Sequence, residues 1–402
     1  MSEWQKVPLG GLLTRITYGF TNPMPTTESG PSMVTAKDIR NGQIDYSTAR
    51  FTSQEAFDNL TDKSRPRIGD VLLTKDGSIG RVAVCDRPNV CINQSVALLQ
   101  PNGRVLSKYL AYLLQAPEYQ EKMAADADGS TIKHIYITRV DKMAVMLPSL
   151  SVQRAIAAVL GALDDKIAAN TKLATTADEL ARIKFDAMLS EARVEIPLSR
   201  SARFVNGKNF TRDATGVGRV VIRIAELNSG ISGSTVRNDV EAGEDNIAHP
   251  GDLLFSWSGS LTVHRWFLDE GVVNQHIFKV IPKEGYPLWL VNQLVAHKLD
   301  EFKAIAADKA TTMGHIQRRH LDEPVAVPTG DAIAREHGAM QALWGRALLA
   351  ERERQRLAET RDALLPAFMS GRVTVRDAEA AVESAVEGDA VEPEAQASGT
   401  LW

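Results

Sequence analysis

Gly69-Asp70-Val71-Leu72-Leu73-Thr74, with Gly77-Ser78-Ile79-Gly80 close behind, is the stretch that decides the fold. Val71-Leu72-Leu73 is a short apolar run bounded by turn residues, the pattern of a buried strand. The stretch returns 182 residues later as Gly251-Asp252-Leu253-Leu254-Phe255, with Gly259-Ser260-Leu261 in the place of Gly77-Ser78-Ile79. Further out, Val7-Pro8-Leu9 recurs as Ile196-Pro197-Leu198, and Thr35-Ala36-Lys37-Asp38-Ile39 is answered by Ile224-Ala225-Glu226-Leu227. Asn93-Gln94 matches Asn274-Gln275 and His134-Ile135 matches His315-Ile316, both at an offset of 181. The matches keep their order while the offset drifts from 189 to 181, as small loop deletions would make it do. The chain is a tandem repeat.

Each copy follows one plan. Val71-Leu72-Leu73, Val82-Ala83-Val84 and Val96-Ala97-Leu98-Leu99 read as strands between Gly, Pro and Asn turns, and residues 106–115 and 287–302 as short helices. That predicts an α+β globule with a mostly antiparallel or mixed sheet. Each copy then ends in a long helical segment. Val152, Ile156, Val159, Leu163, Ile167, Asn170, Leu173, Ala177 and Leu180 recur at spacings of three and four, and Ile333, Met340, Ala347, Ala350, Leu357, Leu364 and Phe368 at three, four and seven. Such seams predict two long antiparallel helices forming a coiled coil. An amphipathic helix lying on its own globule is the competing reading. It is disfavoured because a helix of ~40 residues spans ~60 Å, longer than a domain of this size is wide. The expected division is a globule over residues 1–150, a helix over 151–192, a second globule over 193–330, a second helix over 331–372 and an acidic tail over 373–402, read as disordered.

Composition excludes less than it first appears to. The 402 residues carry 46 Lys and Arg against 50 Asp and Glu, a net charge of -4. That deficit argues against a protein that grips phosphates. Residues 373–402, however, hold seven acids and one base, which leaves 45 bases and 43 acids, a net of +2, over residues 1–372. Local charge has to decide. No run of ~18 apolar residues occurs and the N-terminus has no apolar signal region, so a cytoplasmic protein is expected. Cys85 and Cys91 flank a plausible turn at Arg87-Pro88-Asn89 and are expected to be reduced thiols rather than a disulfide framework.

The order globule, helix, globule, helix predicts a single-chain dumbbell with approximate two-fold symmetry. Dimeric DNA readers use that symmetry, with half-sites ~34–36 Å apart. Two non-identical heads suit an asymmetric, split sequence. At this point the residues resemble the specificity subunit of type I restriction–modification systems, over residues 4–372. The resemblance rests on Gly69–Thr74 with Gly77–Gly80, on Ile92-Asn93-Gln94-Ser95 and Val273-Asn274-Gln275-His276, and on Gly129-Ser130-Thr131-Ile132-Lys133-His134-Ile135. Leu163-Asp164-Asp165-Lys166-Ile167 with Asn170 looks like the start of the family's central helix, and Thr360–Pro366 with Met369-Ser370-Gly371 like the end of its C-terminal helix. The chain departs from the family at Leu147–Arg154, and its second copy, Val327-Pro328-Thr329-Gly330-Asp331, lacks the Gln-Arg pair.

The resemblance implies two target recognition domains, each reading half of a bipartite duplex site, and helices that set the spacing and dock two methyltransferase subunits. It implies partners of double-stranded DNA, methyltransferase subunits and restriction–translocase subunits. S-adenosylmethionine would sit in the methyltransferase, and ATP and Mg in the restriction subunit. This chain would be a non-catalytic subunit, binding no cofactor or metal itself. The residues agree with that: there is no adenine-methylation tetrapeptide, no Gly-x-x-x-x-Gly-Lys-Ser/Thr loop and no zinc spacing. Glu301-Phe302-Lys303 lacks the upstream Pro-Asp of a nuclease and is expected on a solvated helix face.

Base edges and phosphates are read by side chains that donate and accept hydrogen bonds. In the first copy the candidates are Thr21, Asn22, Lys37, Lys75, Ser78, Arg81, Lys133 and His134. In the second they are Lys208, Asn209, Arg212, Arg223, Ser256, Ser258, His264, Arg265, His315, Arg318 and Arg319. A dumbbell adaptor that binds proteins rather than DNA is the alternative, favoured only by the low net charge.

Overall fold

The computed structural model describes residues 4–125, 127, 133–308 and 314–377. These fall into two compact units. Unit 1 holds the residues up to Lys166 together with those from Leu357 onward; unit 2 holds Ile167–Arg356.

Both units build the same four-stranded antiparallel sheet in the same strand order, while a second sheet has three strands in unit 1 and four in unit 2. In unit 1 an antiparallel sheet runs Leu13–Tyr18, Val96–Pro101, Val71–Thr74, Val82–Val84, and in unit 2 it runs Ala202–Asn206, Ile277–Pro282, Leu253–Ser256, Thr262–Arg265. A second sheet in each contains one parallel pairing: Ser32–Val34 beside Val90–Ile92, and Val220–Ile222 beside Gly271–Val273. A two-stranded ribbon, Gln5–Pro8 with Ala144–Leu147 in unit 1 and Arg193–Pro197 with Pro324–Pro328 in unit 2, ties the start of each globule to its end. The first sheet of each unit is therefore antiparallel and the second mixed. Val71–Thr74 and Leu253–Ser256 are buried at every residue, which is why they read as continuous apolar runs rather than alternating ones.

The Gly-Asp pair that opens each of these strands has a mechanical reason. Gly69 and Gly251 sit at φ 93° and 100°, in the left-handed region that a side chain resists. Their N–H groups donate to the carbonyls of Cys85 (2.8 Å) and Trp266 (2.6 Å), across the following strand. The carboxylates of Asp70 and Asp252 then accept from the N–H of Arg67 and His249, each at 2.8 Å. Glycine bends the chain and aspartate locks the bend.

The long helices span Leu150–Glu191 and Gly330–Met369. Leu163–Asn170, likened to the start of the family's central helix, lies inside the first of them. In unit 1 Gln153, fully buried, accepts from the N–H of Leu106 (3.0 Å) and donates to the carbonyls of Arg104 (3.1 Å) and Pro148 (2.9 Å). In unit 2 Ala174 and Ala177 pack on Ala347 and Ala350. Lys184 pairs with Glu336 (2.9 Å) and Glu191 with Arg335 (2.8 Å), so the helices run antiparallel there.

The seam differs from the expected one in its second half. Leu173 and Leu180 are 38% and 42% exposed, while Ala174, Ala181 and Phe185 are buried in their place. The physical reason is size: short alanines let two helix backbones close in, and the contact stripe shifts by one residue to use them. Phe302 is likewise fully buried in the core of unit 2, between exposed Glu301 and Lys303, so that segment is only partly a solvated face. The second helix ends where Gly371 turns to φ 70° and donates to the carbonyl of Phe368 (3.0 Å). Most of the acidic tail, residues 378–402, and Gly129–Ile132 lie outside the described residues. Among the described residues no helix is long and apolar enough to cross a membrane.

Candidate nucleic-acid interface

One crossing of loops recurs in both units and gathers about half of the candidate side chains. Isolated bridges join Phe20 to Asn93 and Asp76 to His134 in unit 1, and Lys208 to Asn274 and Ser258 to His315 in unit 2. The connecting hydrogen bonds repeat as well. Lys75 N–H donates to Ser95 (2.9 Å) and Trp257 N–H to His276 (3.2 Å), while Ile135 and Ile316 donate back to Lys75 (2.8 Å) and Trp257 (3.0 Å). Gly77 and Gly259 donate to the carbonyls of Lys133 (3.1 Å) and Gly314 (2.9 Å). The hydroxyls of Thr74 and Ser256 donate to the carbonyls of Ser78 and Ser260, bracing each hairpin turn from inside. Each crossing is thus a rigid meeting of four chain segments. Glycine is required in one of them: a Cβ on Gly19 or Gly207 would stand 1.8 or 2.2 Å from the carbonyl oxygen of Ile92 or Asn274.

The same scaffold carries different chemistry in the two units. In unit 1 Lys75 is buried, with its ammonium 2.9 Å from Asp76 and 5.1 Å from the ring centre of Tyr18. Asp76 also holds Nδ1 of His134, whose ring meets Tyr136 edge-on. This cluster is charged and internally paired. In unit 2 Trp257 stands where Lys75 does, flanked by His276 (5.6 Å) and His315 (6.5 Å), and its indole N–H donates to Asn206 Oδ1 (2.8 Å). Asn93 Oδ1 accepts from the Ser95 hydroxyl (2.6 Å), but histidine replaces that serine in unit 2. Asn274 Oδ1 and His276 Nδ1 are consequently buried without a hydrogen-bond partner among the described residues.

The predicted residues divide by exposure. Thr21, Asn22, Lys37, Ser78, Arg81, Lys133, Lys208, Asn209, Arg212, Arg318 and Arg319 are exposed. Ser256 and Ser258 are buried in the hairpin, and His134 and His315 are half-buried beside it. Four candidates stand apart from the crossing and have structural partners. Arg212 lies beside Asp213 (3.7 Å). Arg223 grips Glu226 (2.6 and 2.9 Å), and that bond holds its guanidinium above the usual arginine value. Burial keeps His264 below the usual histidine value, with Nε2 3.0 Å from the Thr262 hydroxyl. Arg265, 7% exposed, binds Asp178 and Glu351 on the two long helices. Sequence reasoning left out Trp257, Asn274 and His276 as site residues, although the repeat offset aligned each with a member of the first crossing.

The fold and its paired crossings define a class before they define a protein: a duplicated α+β module, each copy packed on long helices. Residues 1–177 match the family described as Type I restriction modification DNA specificity domain. The chain is 29% identical over 136 residues to the type I restriction enzyme MjaIX specificity subunit of Methanocaldococcus jannaschii, covering 33% of this chain and 31% of that relative. It is 26% identical over 196 residues to the type I restriction enzyme HindI specificity subunit of Haemophilus influenzae, covering 46% and 40%. The matches therefore span less than half the length of these relatives. Among solved structures, the type I restriction–modification system S subunit from M. genitalium superposes with a TM-score of 0.61 at 17% identity, over 91% of this chain and 96% of that one. The resemblance read from the sequence is borne out: residues 1–177 match that family's domain, and the chain shares the fold of a solved type I S subunit.

Proposed function

We propose that this chain is the DNA sequence-specificity subunit of a type I restriction–modification assembly. Each unit reads one half of a bipartite, asymmetric duplex site through its loop crossing, and the long helices set the spacing and dock two methyltransferase subunits. The observation that carries this reading is the repeated crossing with unlike contents, Lys75–Asp76–His134 in one unit and Trp257–Ser258–His315 in the other. One scaffold with two chemistries suits two different half-sites. Exposed Arg81, Lys133, Lys208, Arg318 and Arg319 near these crossings supply phosphate contacts that fix register without specifying sequence.

Chemistry is supplied in trans. The methyltransferase partner brings S-adenosylmethionine, and a restriction–translocase partner brings ATP and Mg. With a net charge of only +2 over residues 1–372, this chain binds duplex DNA weakly alone, and its partners complete the positive channel. Co-expression with its cognate methyltransferase, followed by mapping of methylated adenines, tests the reading. The expected result is one split motif, with salt-sensitive retention of that duplex by the complex. A complex that methylates no defined motif and holds DNA with no salt dependence refutes it.

A further inference from the structure

In each unit a polar cluster joins the globule to both long helices at once, and the two clasps are built differently. In unit 2 Arg265, at the end of the outer hairpin strand Thr262–Arg265, binds Asp178 on the first helix (3.0 and 3.2 Å) and Glu351 on the second (2.8 and 3.2 Å). Its guanidinium lies over the Trp344 ring at 4.5 Å, and the arginine side chain is 4% exposed. In unit 1 Asp164 on the first helix accepts from the Tyr112 hydroxyl of the globule (2.6 Å) and from Arg361 on the second helix (3.0 Å).

We infer that these clasps are the spacing-determining contacts: they fix the pitch of each globule on its helix pair, and so the number of unread base pairs between the half-sites. This rests on the DNA-reading function proposed above. Neighbouring base pairs differ by ~3.4 Å along the axis and by about a tenth of a turn around it, so a spacing is rejected only if each reading loop is held within those limits. Apolar burial is non-directional. In unit 2 the globule also packs on the helices through Phe185, Met188, Met340 and Trp344, a contact that contributes burial rather than direction. A planar guanidinium bonded at both edges to carboxylates on two helices is directional, and admits one rotation and one translation. Buried polar contacts of this kind add specificity of register more than stability.

The test uses the full chain assembled with its methyltransferase partner and reads the spacing of methylated sites. Three variants serve: Arg265→Met, Arg265→Lys and Tyr112→Phe. The expected result is that Arg265→Met and Tyr112→Phe keep the bases of both half-sites. Methylation at sites one base pair shorter or longer should rise by about tenfold or more relative to wild type. Arg265→Lys keeps a charge but not the fork, and should fall between. A merely structural role would lower the melting temperature and leave the spacing unchanged; unaltered spacing in all folded variants overturns the inference. If Arg265→Met does not assemble, Tyr112→Phe, which removes one hydroxyl, decides alone. If wild type itself yields no split motif, the DNA-reading function fails first and the inference falls with it.

Discussion

At the residue scale, the two cysteines show how position sets reactivity. Cys85 and Cys91 are free thiols, each buried in a different apolar cluster. Burial pushes their thiols up to about 11 and about 12, which leaves almost no thiolate at neutral pH. Neither should react with an aromatic disulfide reagent at pH 7.5 in the native chain, and both should react in denaturant. Rapid native labelling of either would contradict the packing. His264 gives a pH dependence of known sign. Its native pKa lies below the ordinary 6.5 because burial disfavours the imidazolium. Below about pH 6.5 the unfolded chain takes up a proton that the native chain resists, so stability falls on acidification. Replacing His264 with Gln should flatten the part of the stability–pH curve below 6.5, measured by chemical denaturation at pH 5.5 and 7.5.

At the element scale, the helix face is settled by alanine rather than leucine. Ala174 is 7% exposed against Ala347 and Ala350, so Ala174→Leu should overpack the contact and cost about 1–3 kcal/mol. Leu180→Ser, on the open face, should change stability by no more than about 0.5 kcal/mol. Urea denaturation of the two variants checks the register, and a reversed order would restore the leucine seam. The sequence made the strands, the turns and the duplication legible because Gly69, Asp70 and their partners answer to local constraints. It misread the helix face because Leu173 and Leu180 satisfy the period as well as the alanines do. Arg265 looked like a DNA contact for a different reason: its carboxylates lie 86 and 87 residues away in the chain, beyond the reach of any local pattern. The candidate site was legible as a set of loops. Which members gather depends on bridges such as Ser258 to His315, which no sequence spacing displays.

At the scale of the whole molecule, the two copies are equal in fold but unequal in how the chain supplies them. Unit 2 is one continuous stretch, Ile167–Arg356, whereas unit 1 is closed by residues from Leu357 onward. Asp164 takes its arginine from position 361, and a Cβ on Gly371 would lie 3.2 Å from the indole of Trp4. A chain ended after Arg356 should keep unit 2 resistant to limited proteolysis while unit 1 is cut first. Equal resistance of both would mean that unit 1 folds without its last helix. The consequence reaches into synthesis. The domain that leaves the ribosome first is the last to be finished, and at about 5–20 residues per second it waits about ten to forty seconds for its closing segment. During that interval its helix offers a half-built surface to chaperones and proteases, so a prematurely terminated product carries its own mark for disposal.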